Sequence, residues 1–409
     1  MAGAELIGKE ETKEVMDVLE TGVLFRYGFD KERKGNFKVR DFEEAFAKYC
    51  GAGYALGVSS GSAALKVALT AMDIGPGDEV IVPAFTFVAT YEAVLEVGAI
   101  PVMADVDGSL NLDPDDIEAK ITPRTKAVIP VHMCGAPARI DRIVEIAKKN
   151  NLMVLEDNAQ GCGGSYKGKK LGTFGDMGIF SFDYMKTITT GEGGMVVTNN
   201  KDLYDRADWY HDHGHDHNPN VGRAMEGRSI IGFNYRMGEL QGALGLAQLR
   251  RLDYVIAEQK KNKVMIKEAL SKIKGVKFRE IPDLEGDTAT FLGFNFPEAE
   301  ITKKFQKALS NESMDTVLFK ENLWHYVPNW EHFLSQSTPN SKKYPFTNPM
   351  YKGKISYSTT AIPRAEDIFG RTLFMQIFVN MPEEKMKSII GGIEKAAGAI
   401  REFLFRSWK

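Results

Sequence analysis

The stretch LEDNAQGCGGSYKGKKLGTFGDMGIFSFDYMKTITTGEGGMVVTN, Leu155–Asn199, contains the features that decide the fold of this chain. An apolar run predicts a strand over Met177–Phe182, a turn rich in threonine and glycine follows, and a second strand is predicted over Met195–Thr198. Lys186 lies at the mouth of this strand pair. Burial there would lower the pKa of its amine, and an uncharged amine is a nucleophile toward carbonyl groups. Lys186 is therefore the first candidate for a catalytic residue.

Asp157 is the second candidate. It follows the apolar run Leu152–Leu155, which predicts a position at the carboxyl end of a buried strand. Open α/β sheets keep their ligand sites at this edge. Enzymes that use pyridoxal 5′-phosphate (PLP) pair a nucleophilic lysine with an acid that keeps the pyridine nitrogen of the cofactor protonated. Lys186 and Asp157 fit these two roles.

The composition is typical of a globular protein. The 409 residues are 43% hydrophobic and 26% charged, which allows a large core and predicts a second, smaller domain. A net charge of −3 gives no indication of nucleic acid or an anionic membrane as partner. Three scattered cysteines favour a reducing compartment over a disulfide framework. Because it has no signal-peptide core and no apolar run of about 18 residues, the sequence predicts a cytoplasmic protein without a membrane span.

Strand and helix patterns alternate along the first 250 residues. Four apolar runs of strand length come before the central stretch: Tyr54–Val58, Glu79–Val82, Ile100–Met103 and Ala127–His132. This alternation is typical of a mostly parallel sheet with helices on its faces. Beyond residue 250 the pattern changes to short strands and further helices. We predict an N-terminal segment and large α/β domain over residues 1–250 and a connecting helix and small α/β domain over residues 251–409.

Two stretches at the ends of predicted strands could contact a flat, phosphorylated ligand. Ser62 and Ala63 lie at a helix N-terminus, where free N–H groups and the positive end of the helix dipole bind phosphate. A serine cap explains the same residues without a ligand. Phe87 could stack on a cofactor ring, although a phenylalanine packed in the core is the simpler explanation. The residues alone leave both alternatives open.

The run HDHGHDH, His211–His217, is the most metal-like feature of the chain. Alternate histidines on one face of a strand bind zinc or copper in some proteins. The intervening aspartates and glycine favour a loop instead. We therefore predict no metal site, and a polar loop near the mouth of the active site.

The motifs LEDNAQ, GTFGDMGIFSF and GEGGMVVT, with Lys186 between the last two, resemble the DegT-type sugar aminotransferases, a branch of the fold-type I PLP enzymes. The likeness runs from Phe42 to Asp253 and continues more weakly to the C-terminus. It implies a fold-type I PLP-dependent transferase, PLP as cofactor, glutamate or glutamine as amino donor and a keto or aldehyde sugar as acceptor. It also implies a homodimer whose subunits share their active sites.

The resemblance gives each matching residue a role. Lys186 and Asp157 are the implied catalytic residues. The implied cofactor-binding residues are Ser62, Ala63, Phe87, Asp157, Gln160, Ser181, Lys186 and Asn234. Gln160 is expected at the ring hydroxyl, and Asn234 is expected to cross to the phosphate bound by the other subunit. Ser62 stands where the family usually has threonine.

A narrower resemblance concerns the acceptor. FRYGFD, VHMCG, SFDYMKTIT, DHGHDH and WHYVPNW are similar to the branch that aminates 8-oxo-3-deoxy-manno-octulosonate (Kdo-type) to 8-amino-3,8-dideoxy-manno-octulosonate for lipopolysaccharide. A carboxylated sugar needs cationic or donor groups at the pocket mouth. The predicted substrate-binding residues are Arg26, Tyr27, His215, His217, Trp324 and His325. A surface loop explains Arg26 and Tyr27 equally well.

Two alternatives remain at this stage. One is an aminotransferase that acts on a nucleotide-diphospho-4-keto-6-deoxy sugar. The other, from a different class, is a PLP- or metal-binding protein that does not transaminate.

Overall fold

The computed structural model describes residues 2–401, which form two β-sheets, a short hairpin and the helices around them. The strands, numbered along the chain, are β1 (Tyr54–Val58), β2 (Glu79–Pro83), β3 (Ile100–Ala104), β4 (Thr125–Val128), β5 (Met153–Asp157), β6 (Ser165–Tyr166), β7 (Lys169–Lys170), β8 (Met177–Ser181), β9 (Gly194–Thr198), β10 (Lys277–Phe278), β11 (Phe291–Asn295), β12 (Val317–Leu318) and β13 (Thr372–Gln376). The helices are α1 (Ala2–Glu5), α2 (Lys9–Leu19), α3 (Asp30–Arg33), α4 (Lys38–Cys50), α5 (Gly61–Ala71), α6 (Ala89–Glu96), α7 (Pro114–Lys120), α8 (Ile140–Lys149), α9 (Lys201–His211), α10 (Glu239–Leu249), α11 (Leu252–Ser271), α12 (Ala299–Asn311), α13 (Glu331–Leu334), α14 (Pro363–Phe369) and α15 (Glu383–Ala399).

The large sheet has seven strands in the order β1, β9, β8, β5, β4, β2, β3. From β8 to β3 all neighbours run parallel, and only β9 is antiparallel to the strands beside it. The predicted mostly parallel sheet is confirmed. Asp157 of β5 is paired with Ile179 of β8, so Asp157 and Ser181 end neighbouring strands at the same edge. This edge holds the candidate site.

Side chains alternate between the two faces of the sheet, as strand geometry requires. Val80 and Val82 pack in the cluster that contains the apolar face of α5. Ile81, between them, packs on the opposite face with Ile140 and Ile143 of α8. Helices therefore cover both faces, which is the arrangement that parallel sheets require.

The fourth strand is shorter than predicted. The sequence predicts a strand over Ala127–His132, whereas β4 ends at Val128. Pro130 has no N–H to donate, so the ladder is interrupted there. Pairing resumes at one bridge, between Val131 and Asp157. His132 consequently stays beside the end of β5, with its backbone N–H donating to the carbonyl oxygen of Asp157 at 3.1 Å.

The second sheet is antiparallel, in the order β10, β11, β13, β12. It has a core of its own, in which Phe294 and Phe305 pack with Ile393 of α15. The chain between β12 and β13 returns to the large domain, because Tyr326 and Trp330 belong to the buried cluster of the large sheet. The division at residue 250 stays a prediction, and this return shows that the two parts are packed together over more than the connecting helix.

The polar segment Asn340–Lys354 is anchored at two points. Phe346 is buried in the core of the large domain, and the hydroxyl of Tyr351 donates to Glu79 at 2.8 Å. Across the described residues 2–401, no helix combines the length and the apolar character needed to cross a membrane.

Candidate active site

Lys186 lies in the turn that follows β8. Its backbone N–H donates to the carbonyl oxygen of Asp183 at 3.0 Å, and its Nζ is 5.8 Å from the centroid of the Phe87 ring. Burial lowers the pKa of the Lys186 amine, while the carboxylates of Asp183 and Asp157 act in the opposite direction. A lowered pKa increases the uncharged, nucleophilic fraction of the amine.

Asp157 is buried at the end of β5, with 3% of its surface exposed. One carboxylate oxygen accepts a hydrogen bond from the Thr90 hydroxyl at 2.8 Å, and the other accepts one from the Ala159 N–H at 3.1 Å. Burial raises the pKa of Asp157, and these two hydrogen bonds and the Lys186 charge oppose that rise. Both hydrogen-bonding partners are neutral, so a cationic ring nitrogen would supply the missing counter-charge.

Thr90 is a candidate site residue, because its hydroxyl donates to Asp157, and the sequence did not indicate it. Its hydroxyl lies 2.7 Å from the hydroxyl of Thr86, and the pair is buried. The two threonines are four positions apart, with Thr86 in the turn before α6 and Thr90 in the first turn of that helix. That spacing was the available signal, but it does not identify Asp157 as the acceptor.

The N-terminus of α5 lies against the end of β8. Ser60 caps the helix, since its side chain accepts a hydrogen bond from the Ala63 N–H at 3.0 Å. The serine-cap explanation holds for Ser60, whose cap uses the Ala63 N–H. The neighbouring Ser62 lines a cavity of about 270 Å³, and phosphate binding by Ser62 and Ala63 stays a prediction. A Cβ atom on Gly61 would lie 2.7 Å from Cβ of Ser181. Glycine at this position lets the helix N-terminus and Ser181 converge, as a phosphate cradle needs.

Phe87 lies between Lys186 and a segment from the C-terminal part of the chain. The N–H of Val88 donates to the carbonyl oxygen of Trp324 at 3.0 Å, and that of Thr86 donates to His325 at 3.1 Å. The rings of Phe87 and Trp324 are parallel within 2°, with centroids 5.8 Å apart. Trp324 remains 60% exposed. The segment Trp324–Tyr326 thus contacts Phe87 and its neighbours, although more than 200 residues separate them along the chain.

His325 lies in the same place but is not a cation. Burial, followed by the charge of Lys186, lowers the pKa of His325 to about 4. Its Nδ1 is 3.0 Å from Oδ1 of Asn322. At neutral pH His325 can exchange hydrogen bonds with a substrate but cannot pair with a carboxylate.

The side chain of Gln160 is hydrogen-bonded to the turn that follows β4. Its Oε1 accepts a hydrogen bond from the Cys134 N–H at 2.9 Å. Cys134 has the left-handed backbone conformation, with φ of 56°, which is uncommon for a residue other than glycine. The turn therefore orients the side-chain amide of Gln160, and the role of Gln160 at the cofactor hydroxyl stays a prediction.

Arg26 corrects an expectation. Its guanidinium forms a buried ion pair with Glu43 at 2.6 Å and donates to the carbonyl oxygen of Gly57 at 2.9 Å. Arg26 is therefore engaged inside the chain and is not at a pocket mouth. Tyr27 packs in the same way, with its ring stacked on His217 at 4.6 Å. The surface-loop explanation of this segment fits the structure better than the substrate-loop explanation.

The histidine run forms a loop, not a strand. His217 has Nδ1 2.7 Å from Asp208 and Nε2 2.9 Å from Asp212, so both ring nitrogens are engaged within the chain. His215 lies 2.6 Å from Glu226. The contacts of His217 correct the expectation that it faces a substrate. Only Nδ1 of His215 is engaged, so its substrate role stays a prediction. Among the residues that the structure describes, no group of three or more His, Cys, Asp or Glu side chains is arranged to hold a metal ion.

Asn234 lies on the loop that follows. Its Oδ1 accepts a hydrogen bond from the Arg236 N–H at 3.3 Å, and the residue is exposed. Nearby, Ile231 is 95% exposed and Phe233 is also exposed. Asn234 is thus exposed in the single chain, and its role at the phosphate of a second subunit stays a prediction.

The residues present fit PLP. A buried carboxyl with neutral hydrogen-bonding partners, an amine with a lowered pKa and a helix N-terminus open to Ser181 are the features that the ring nitrogen, the aldehyde and the phosphate of PLP require. Glu156 supports this edge from below, accepting N–H groups of Gly172 and Gly175 at 2.9 and 2.8 Å.

Comparisons with known proteins agree with this geometry. The sequence model of the DegT/DnrJ/EryC1/StrS aminotransferase family matches residues 5–346. GDP-perosamine synthase of Caulobacter vibrioides is 47% identical over 228 residues, which cover 56% of this chain and 60% of that protein. The match thus spans about three fifths of the length of that relative. The spore coat polysaccharide biosynthesis protein SpsC of Bacillus subtilis is 34% identical over 398 residues, covering 95% of this chain and 94% of SpsC.

A solved structure, the aminotransferase from Psychrobacter cryohalolentis, superposes with a TM-score of 0.81 at 28% identity and covers 97% of this chain and 98% of that one. The fold is that of the fold-type I PLP enzymes, as predicted, and PLP is the cofactor of the matching family. The chain belongs to the DegT/DnrJ/EryC1/StrS aminotransferase family.

Proposed function

We propose that this chain is a PLP-dependent aminotransferase that moves an amino group from glutamate to a keto sugar. The observation that carries the proposal is the joint position of the partly buried Lys186 and the buried Asp157, two groups with oppositely shifted pKa values at one edge of the sheet. Bound PLP supplies an electron sink that makes the α-hydrogen of an amino donor acidic. The protein residues then have to move that proton and hold the cofactor in its reactive state.

Lys186 would move the proton. Because burial lowers its pKa, its amine can accept a proton at neutral pH and return it on the other side of the reaction. Asp157 would keep a proton on the ring nitrogen, with its carboxylate oriented by Thr90 and Ala159. Phe87 would cover the ring face, and Ser62 and Ser181 would bind the phosphate. Gln160 would contact the ring hydroxyl.

The proposal includes a homodimer. Asn234, Ile231 and Phe233 are exposed on one loop, where a second copy would bury the apolar side chains and receive the asparagine at its phosphate. Two-fold symmetry is the commonest closed arrangement of identical subunits. Sedimentation of the PLP-loaded protein tests it, since a fully active monomer would contradict the shared site. A cytoplasmic location stays a prediction.

Two acceptors compete. A nucleotide-linked keto sugar is supported by the name of GDP-perosamine synthase, which is 47% identical over the matched stretch. The engagement of Arg26 by Glu43 also removes one cation expected for a carboxylated acceptor. Two observations support the octulosonate acceptor, and with it a role in lipopolysaccharide synthesis. The WHYVPNW segment resembles the branch that aminates that sugar, and Trp324 of this segment lies beside Phe87. We rank the nucleotide-linked sugar first.

One assay separates the possibilities. The protein is supplied with glutamate and either 8-oxo-3-deoxy-manno-octulosonate or a panel of nucleotide-diphospho-4-keto-6-deoxy sugars, with Lys186→Ala as the blank. Turnover of a nucleotide sugar alone supports our ranking, and turnover of the octulosonate alone reverses it. A protein that binds PLP but aminates no member of the panel would favour the class that binds the cofactor without transaminating.

A further inference from the structure

A second cavity, of about 420 Å³, lies between α11 and the chain that joins β10 to β11. Its volume is within the range of small-molecule sites. Neither Lys186 nor Asp157 lines it. Its walls include the apolar side chains of Val264, Leu284 and Leu292, together with five lysine and arginine side chains and two carboxylates. The cavity therefore combines apolar walls, of which Leu292 is buried and Val264 and Leu284 are more than half exposed, with a net positive charge.

The cations of this cavity are unequally neutralised. Lys263 pairs with the buried carboxylate of Asp287, and Lys261 lies 3.4 Å from Glu258. Lys260 donates to a backbone carbonyl oxygen, that of Glu285, at 2.6 Å. The ammonium of Lys267 lies over the ring of Phe278, 5.1 Å from its centroid. Within residues 2–401, neither Lys260 nor Lys267 forms an ion pair with a carboxylate.

We propose that this cavity binds a small organic anion, a molecule with an aromatic or aliphatic body and one carboxylate, sulfonate or phosphate group. The body packs against Val264, Leu284 and Leu292, where its burial is favourable. The anionic group accepts charge-assisted hydrogen bonds from Lys260 and Lys267. Neither contact displaces an existing ion pair.

The wall of the cavity continues to the cofactor pocket. Arg279, which lines the cavity, donates to the carbonyl oxygen of Met133 at 2.8 Å. Thr288 donates its N–H to the carbonyl oxygen of Gly135 at 3.1 Å. Between these two contacts, the N–H of Cys134 donates to Gln160 at 2.9 Å. The cavity and the cofactor pocket thus both contact the turn Met133–Gly135. A ligand that shifts this turn when it binds in the cavity should therefore change the affinity for PLP.

The binding test uses 1-anilinonaphthalene-8-sulfonate, a fluorescent probe with an aromatic body and one sulfonate, titrated into the PLP-loaded full chain. We expect saturable binding that weakens at least about tenfold in Lys267→Glu and in Leu284→Glu. The matched controls are Lys387→Glu, an exposed lysine on α15, and Met350→Glu, which like Leu284 is 65% exposed. Both controls should bind as the parent does. Absence of saturable binding, or equal weakening in variants and controls, overturns the site.

Competitors define the ligand chemistry. 2-Naphthoate and 2-naphthyl phosphate should displace the probe, and the neutral 2-naphthylmethanol should do so at least about tenfold less well. Equal displacement by the neutral alcohol would contradict a role for charge. The connection to the cofactor is tested by equilibrium dialysis of PLP with and without 2-naphthoate. We expect a change of about fivefold or more in the parent and none in Lys267→Glu. An unchanged PLP affinity in the parent would overturn the connection.

Discussion

The Lys186 pocket and the His217 cluster are both rich in ionisable groups, but they differ in how those groups are paired. We call His217, Asp208, Asp212, Arg223 and Arg236 the His217 cluster. Both carboxylate oxygens of Asp212 accept hydrogen bonds from Arg223, at 2.8 and 2.7 Å. Asp212 also forms an ion pair with Arg236 and lies 2.9 Å from His217. In the described part of the chain, by contrast, the amine of Lys186 forms no ion pair.

The difference separates function from stability. Carboxylates and imidazoles that already pair with each other do not bind a ligand without breaking those pairs. A buried ionisable group with few partners can bind a ligand without that cost. Four predictions test this contrast.

The largest effect is expected for Lys186→Ala. The change removes both the nucleophile and the proton carrier, so we expect turnover with glutamate to fall by about 10⁴-fold or more. Steady-state assay and the visible absorbance of the PLP-loaded protein measure it. A variant that keeps steady turnover would place the catalytic lysine elsewhere and remove the contrast between the two regions.

Asp157→Asn should reduce the rate on the order of 10²- to 10³-fold, the range for the loss of one electrostatic contact in an active site. An amide cannot stabilise a protonated ring nitrogen, although it keeps nearly the same shape. We therefore expect PLP to remain bound, with an altered pH dependence of its visible absorbance. A normal rate would show that Asp157 has no such role.

Thr90→Val sharpens the contrast because it removes the hydroxyl that contacts both Asp157 and Thr86. Loss of the 2.8 Å hydrogen bond to the carboxylate should lower kcat about 10- to 100-fold, the equivalent of one hydrogen bond to a charged group. It should also raise the pKa of Asp157 further and shift the pH dependence of PLP absorbance. Thr90→Ser keeps the hydroxyl and should restore both properties. If serine and valine behave alike, packing and not the hydrogen bond is responsible.

The smallest effect is expected in the His217 cluster and concerns stability. The carboxylates of Asp208 and Asp212 raise the pKa of His217 to about 9 against the opposing effect of burial. The folded state therefore binds the proton more tightly than the unfolded state, whose histidine titrates near about 6.5. This stabilisation is full below about pH 6.5 and is lost as the pH rises through about 9.

In His217→Phe, which keeps an aromatic ring against Tyr27, that pH-dependent part should disappear. We expect the thermal midpoint of the parent to fall by about 2 °C more than that of the variant between pH 6.5 and 9.5. Parallel curves would mean that the two contacts of His217 do not stabilise the fold. Transamination rates of variant and parent at pH 7 should stay within about twofold of each other.

The sequence was sufficient for the central pocket because its signals are local. A strand ending in Asp157, a glycine-rich turn after Lys186 and small residues at the start of a helix each follow from residue type and short spacing. It was insufficient for Arg26 and His217, whose residue types suit a substrate as well as an internal carboxylate.

By itself, the sequence determined the α/β class and the family and predicted Lys186 and Asp157 as the catalytic residues, since all three depend on patterns within short stretches of chain. Only the tertiary structure decided which polar groups remain free to act. Thr90 reaches Asp157 across 67 positions, and Arg26 is withdrawn by Glu43. Such pairings arise when separate elements pack together. Burying a charged or polar group costs free energy unless it is hydrogen-bonded, and its neighbours in sequence do not always provide that partner.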